Sequence, residues 1–387
     1  MTRDELLRLS EVESPQGCAI SFYFQPGAPQ NKSHRSEAAE VKELVREAAR
    51  RVPSNSDGSA ARADLERILA MNELWHGAHT RARAVFACGG RDLWRQYELP
   101  ARLERSEVAL NTRFHLAPLV AVSGSLTRVC AALVDRAHAR IFDARWGEAR
   151  LREEIFDELP RRGRSAGFSG YEDGHSGRHE ANQVRVHLRR VSERLREMLD
   201  AGVYDKLVIA CRDGVCAEVE SQLHPYVRQR LLGRVALDPV VATTEDIRHQ
   251  VERLLEQEER ERNRALVGEV LGQGHRRGLG ALGLRRVLQA LERGEAHSLV
   301  LGAGFSAPAA ECRHCGHLDY RLVRSCAVCG QASRELDDVT SALIVRALRS
   351  KVDVVYVGPQ PALQEAGNIG ALLRFRADRS TGQMLAG

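Results

Sequence analysis

The chain has 387 residues, 43% of them hydrophobic, and a formal net charge of +5. That length accommodates two or three domains with real cores, which excludes a disordered chain. No apolar run reaches the roughly 18 residues that a membrane helix needs, and Met1-Thr2-Arg3-Asp4-Glu5 lacks the apolar core of a secretory signal, so a cytoplasmic protein with no membrane partner is expected.

Residues 1–124 read as a first α/β domain. Ala19 to Phe24 is a strand by residue type, residues 37–51 and 60–75 are helical, and Pro53 to Ser59 is a turn between them. Ala84 to Cys88 is a second strand, ended by Gly89-Gly90. Asn31-Lys32-Ser33 is read as a plain loop.

A second domain spans 125–243. Val129 to Val134 and Ala139 to Phe142 form two strands around the turn Asp135-Arg136-Ala137-His138. A loop rich in glycine, serine and arginine follows from Arg161 to Gly177. The next helix places Val184, Leu188, Val191, Leu195 and Met198 on one face and Arg185, Arg189 and Arg196 on another, and Gly202 stops it. Between Arg161 and Arg196 nine arginines face four acids, so this short stretch carries as much net charge as the whole chain. Lys206 to Cys211 reads as a buried strand, and Val215 to Leu232 as a helix broken by Pro225.

The third domain spans 244–387. Thr243 or Thr244 caps a long charged helix that runs to about Leu271. Leu282 to Leu291 and residues 335–349 are helical. His297 to Leu301, Val352 to Val357 and Ile369 to Phe375 are strands. Alternation of helix and strand throughout predicts an α/β fold class, three α/β domains in all.

Cys312-Arg313-His314-Cys315 and Cys326-Ala327-Val328-Cys329 are two Cys-x-x-Cys turns ten residues apart, with Gly316 and Gly330 directly after them. Four thiolates at this spacing close a tetrahedral shell, which predicts a structural zinc ion on Cys312, Cys315, Cys326 and Cys329. His314 and His317 are competing ligands; reduced thiols or two disulfides are the alternative. The remaining cysteines, Cys18, Cys88, Cys130, Cys211 and Cys216, sit mostly in apolar runs and read as buried thiols of a reducing compartment.

Other motifs carry less. Gly278 to Gly283 fits G-x-G-x-x-G and Gly302 to Ala307 its looser form, but neither has both the preceding strand and the following helix that dinucleotide binding requires. There is no phosphate-loop lysine motif. His175, His179 and His187 lie near Asp173 and Glu180 in sequence; a solvated basic segment is favoured there over a metal or general-base site.

The order of parts resembles the archaeal and eukaryotic class I peptide-release factors and their paralogue Pelota. Gly278 to Leu284, Ala296 to Leu301 and Asn368 to Phe375 are similar to motifs of that family's last domain, and Leu133 to Phe142 to the opening hairpin of its middle domain. The resemblance implies that the third domain is an RNA-binding-type α/β sandwich with an inserted zinc ribbon. Release factors carry Gly-Gly-Gln on the middle-domain loop, whose glutamine helps position the hydrolytic water. Here that loop reads Gly167-Phe168-Ser169-Gly170-Tyr171, and Gly-Gly-Gln occurs nowhere in the chain. Only Asn31-Lys32-Ser33 is similar to the codon-reading tetrapeptide, one residue short.

The resemblance therefore implies a member of the bacterial branch lacking Gly-Gly-Gln, a Balon-like ribosome hibernation factor. It would be a monomer that occupies the ribosomal A site under stress without catalytic residues of its own, with elongation factor Tu as a candidate partner. Arg161, Arg162, Arg164, His175, Arg178, His179, Arg185, Arg189 and Arg190 would meet ribosomal RNA. Two alternatives stand beside this: a release or rescue factor that hydrolyses peptidyl-tRNA, and a zinc-bearing RNA-binding protein acting off the ribosome.

Overall fold

The computed structural model describes residues 3–25, 34–72, 82–100, 103, 105–123, 127–158, 172–212 and 214–377. Two compact units divide the chain: residues 1–124 with 261–387, and residues 125–260. The mixed α/β class expected from the sequence holds in both.

In the first unit the N-terminal elements are α1 (Arg3–Ser10), β1 (Ala19–Phe24), α2 (His34–Arg50), α3 (Ser56–Asn72), β2 (Ala82–Cys88), β3 (Leu93–Leu99), β4 (Glu107–Asn111) and α4 (Ala117–Ser123). Their sheet has the order β3-β2-β1-β4 and is antiparallel throughout. Every residue of β1 is buried, because both faces of the sheet are covered. Ile20, Phe22 and Phe24 pack under Val41, Val45, Leu65 and Ile68 of α2 and α3. On the other face Tyr23 and Phe86 join the core of the C-terminal part.

The second unit contains β5 (Val129–Val134), β6 (His138–Arg145), β7 (Glu148–Phe156), α5 (Glu172–Asp200), β8 (Lys206–Cys211), α6 (Val215–Gln222), α7 (Pro225–Arg228), β9 (Leu231–Ala236) and the start of α8 (Thr244–His275). Its sheet runs β7-β6-β5-β8-β9, antiparallel on the hairpin side and parallel from β5 to β9. One face is covered by α5 and α6. The other is covered by Ile247, Val251 and Leu255 of α8. This three-layer arrangement leaves the β5 and β8 cores fully buried, as near-continuous apolar strands require.

Helix ends follow their local chemistry. Thr243 caps α8, with its Oγ1 accepting from the Asp246 N–H at 3.2 Å and its own N–H donating to Asp246 Oδ2 at 2.8 Å. Gly202 takes φ +64° after α5, and Val203 N–H donates to the Met198 carbonyl at 2.9 Å, closing the helix.

The C-terminal part of the first unit adds β10 (Gly280–Leu282), α9 (Gly283–Glu292), β11 (Ala296–Gly302), β12 (Ala309–Cys312), β13 (Leu318–Asp319), β14 (Ser333–Leu336), α10 (Thr340–Arg349), β15 (Asp353–Val357), α11 (Pro361–Glu365) and β16 (Ile369–Leu373). The main sheet is β10-β16-β11-β15. The cysteine turns sit on a separate small sheet, β13-β12-β14, inserted between β11 and α10.

Three sequence expectations are corrected. Residues 231–236 form a strand, not the end of a helix; Pro225 starts the short α7 with His224 as its cap, and the chain then returns to the sheet beside β8. Residues 335–336 belong to β14, and α10 begins only at Thr340, whose N–H donates to Asp338 Oδ1 at 3.0 Å. Helix α5 begins at Glu172, so His175 lies within it and not in a loop.

Candidate functional site

The long helix α5 carries the first group of candidate residues. Val184, Leu188, Val191, Leu195 and Met198 are buried against the sheet, as their spacing predicts. That fixes the helix rotation and leaves Arg185, Arg189 and Arg190 exposed. Arg185 and Arg189 make no ion pair with a described residue. Arg190 is tied back, its Nη1 donating to Asp157 Oδ1 at 2.8 Å. Arg194 pairs with Glu153 and Glu197, and Arg196 with Glu193. The cationic face is thus narrower than the count of arginines suggests. Arg161, Arg162 and Arg164 lie outside the described residues. His175, Arg178 and His179 fall on α5, and their side chains lie outside the description.

His187 separates from the other histidines. It is fully buried on the inner face of α5, and its Nδ1 lies 2.7 Å from Asp157 Oδ2. Asp157 directly follows β7, thirty residues before His187 in sequence. The hydrogen bond from His187, ahead of that from Arg190, holds the Asp157 carboxyl below its ordinary range. His187 Nε2 is buried without a partner among the described residues. The imidazole therefore ties the end of an edge strand to the helix; it does not join His175 and His179 in a solvated cluster. Nothing in the local sequence around Asp157 marks it for this role.

The cysteine turns converge. Their four sulfurs all lie within 4.8 Å of one another. Cys312 and Cys329 are 3.4 Å apart, Cys315 and Cys326 3.7 Å, and Cys315 and Cys329 3.5 Å. Sulfurs at the corners of a tetrahedron with bonds of about 2.3 Å stand about 3.8 Å apart, so these four could hold one metal ion. Gly316 and Gly330 take φ +68° and +72°, the left-handed turn that aims N–H groups back at sulfur. His314 and Cys315 donate to Cys312 Sγ at 3.4 Å, and Val328 donates to Cys326 Sγ at 3.3 Å. The N–H of Cys315, chief among these, brings the Cys312 thiol down to about 6. His317 is turned away, its Nδ1 2.7 Å from Glu292 Oε1, and it does not compete as a ligand.

The expectation of five buried thiols fails at two positions. Cys18, Cys88 and Cys130 are buried and reduced, but Cys211 and Cys216 are joined as a disulfide. The end of β8 and the first turn of α6 bring their Cα atoms to 5.6 Å, well within bridging reach.

The glycine motifs have packing roles. A side chain at Gly302 would collide with the Asn368 amide, which donates to the Ala303 carbonyl at 2.9 Å. One at Gly280 would strike the α8 backbone at Gly274 and Val270.

Residues 115–260, which include the whole of the second unit, match the family described as bacterial archaeo-eukaryotic release factor family 10. No curated protein matches the sequence. Among solved structures the chain is similar to an archaeal translation termination factor, at 15% identity and TM-score 0.25 over 97% of this chain and 99% of that one. It is similar to Archaeoglobus fulgidus Pelota at 13% identity and TM-score 0.37, over 97% and 93%. Ribosome-bound archaeal Pelota gives 15% identity and TM-score 0.42, over 97% and 94%. Among the described residues no helix is long and apolar enough to cross a membrane.

Proposed function

We propose that this chain is a cytoplasmic, ribosome-binding translation factor that occupies the A site of idle or stalled ribosomes and does not hydrolyse peptidyl-tRNA. The observation that carries the reading is the exposed face of α5. Arg185 and Arg189 stand outward on a release-factor-type domain because Val184 and Leu188 must point inward. Guanidinium groups without an acidic partner among the described residues suit RNA phosphates. The arginines at 161, 162, 164, 178 and 190, with His175 and His179, extend that surface in the proposal.

The second half of the reading rests on what hydrolysis would need. Gly-Gly-Gln is missing from the sequence. Among the described residues of the second unit, the imidazole held closest by a carboxylate is His187, whose side chain is wholly enclosed and out of reach of a water at a tRNA end. Occupancy without turnover fits a hibernation factor that protects idle ribosomes, and elongation factor Tu is the proposed partner in delivery. The metal on the four cysteines is proposed to be zinc in a closed, structural site.

The test adds purified protein to ribosomes carrying labelled peptidyl-tRNA. Co-sedimentation with the ribosomes and peptide release no higher than the no-factor control are expected. Release well above that control, lost in the His175→Ala variant, would overturn the reading in favour of a hydrolase.

A further inference from the structure

The geometry points to Cys211 and Cys216 as a reversible thiol–disulfide site that exchanges with low-molecular-weight disulfides such as oxidised glutathione. This rests on the cytoplasmic part of the proposed function, and not on ribosome binding. The two cysteines sit at one junction of the second unit, where the parallel strand β8 ends and α6 begins, and they are bonded to each other. In the same chain the four cysteines of the metal turns are unbonded. The bond is therefore a property of this junction, not of the chain's cysteines as a class. A disulfide in a protein of a reducing compartment is ordinarily transient or redox-sensing.

The two sulfurs are unequal. Cys211 is fully buried in β8, whereas Cys216 is half-buried in the first turn of α6. A thiol in the first turn of a helix is favoured as thiolate by the N–H groups there, and it is the one an outside disulfide can reach. Cys216 is thus the attacking sulfur and Cys211 the resolving one. The Cys216 thiolate attacks one sulfur of oxidised glutathione, the glutathione S–S bond breaks, and one glutathione leaves and takes up a proton. The Cys211 sulfur, losing its proton, then attacks Cys216 Sγ and displaces the second glutathione. Two cysteines are oxidised and one glutathione disulfide is reduced to two thiols.

Closure ties α6 to β8, and α6 shares a core with α5 through Val215, Val219, Val184 and Leu188. The redox state of this pair is therefore built into the packing beneath the arginine-bearing helix.

The sequence supplies a direct readout. Trypsin cuts after Lys206, Arg212 and Arg228, which puts Cys211 and Cys216 on separate peptides. The full-length, metal-loaded protein is equilibrated in a series of reduced-to-oxidised glutathione ratios, quenched with acid, alkylated after unfolding, and digested. The peptide pair 207–212 and 213–228 should be linked at the oxidising end and separately alkylated at the reducing end, with a midpoint between. A linked pair that never forms, or one that persists in excess reduced glutathione, overturns the proposal. In oxidised glutathione the Cys211→Ser variant should trap one glutathione on Cys216, and Cys216→Ser should leave Cys211 unmodified. The opposite pattern would overturn the assignment of attacking and resolving sulfur even if the bond is reversible.

Discussion

Arg113 and Glu311 are joined across 198 residues of sequence by an Nη1–Oε1 hydrogen bond of 2.5 Å. Glu311 lies in β12, next to the first metal-turn cysteine, and its side chain is 5% exposed. Its other oxygen accepts from Arg334 Nη2 at 2.6 Å, and Arg113 also holds Glu13. The cysteine sheet is thereby fastened to the N-terminal part of the same unit by a carboxylate shared between two guanidinium groups.

Removing one partner of such a buried network leaves unpaired charge, at a cost of about 3–5 kcal/mol. Glu311→Gln should lower the stability of the first unit to urea by an amount in that range. Glu13→Gln, at the exposed end of the network with 48% of its side chain accessible, should cost about 1 kcal/mol or less. Equal effects of the two substitutions would contradict the assignment of Glu311 as the fastening group.

The four-cysteine cluster makes a second prediction. Protein purified under reducing conditions should contain about one zinc per chain. A chelator that strips it should lower the melting temperature, because only the folded turns bring the four sulfurs within 4.8 Å of one another, so metal-binding free energy adds to folding free energy. The Cys312→Ser, Cys315→Ser double variant should lose the metal. Full metal content and unchanged stability in that variant would exclude ligation by these residues.

The pairing of His187 with Asp157 predicts a pH dependence with a definite sign. The folded-state carboxyl of Asp157 is held below its ordinary value by His187 and then Arg190. Its contribution to stability is therefore present above the unfolded value of about 3.9 and is lost as pH falls through the lower folded value. Asp157→Asn should destabilise the second unit at neutral pH by about 1–3 kcal/mol, since it weakens the one described partner of a fully buried imidazole. The gap between variant and wild type should close in strong acid. A gap that widens on acidification would show that the carboxylate is not the stabilising form.

In the N-terminal sheet of the first unit and in the sheet of the second, the strands that the sequence pattern leaves unread share one property. β3, β4, β7 and β9 are the outer strands of their two sheets, while β1, β2, β5, β6 and β8 lie inside or beside the centre and read readily. An edge strand buries little and carries charge against edge-to-edge pairing, so its apolar alternation is weak. β7, with the sequence EARLREEIF, has a single buried residue, Ile155. Helix α5 and the cysteine turns were legible for the opposite reason: each carries its whole pattern in one local stretch. Asp157 and the Cys211–Cys216 bond were not, because their meaning depends on which strand end meets which helix.

The last prediction concerns the face of α5 itself. Its rotation is fixed by the buried residues Val184, Leu188 and Val191, so Arg185 and Arg189 cannot turn inward without exposing that stripe. Arg190, Arg194 and Arg196 are engaged with Asp157, Glu153 and Glu193, so their charge is already met within the chain. Arg185 and Arg189 are therefore the clean probes. Arg185→Gln with Arg189→Gln should leave the melting temperature within about a degree or two, as surface substitutions away from packed features usually do. Binding to ribosomes should weaken, and the dependence of binding on salt should flatten by at most ~0.9 log units for each phosphate that is no longer neutralised, on the scale set by duplex DNA. An Arg196→Gln control, which removes a cation already neutralised by Glu193 at 2.8 Å, should change the salt slope less. If the double variant binds ribosomes with wild-type affinity and an unchanged slope, the exposed face of α5 is not where the RNA is held.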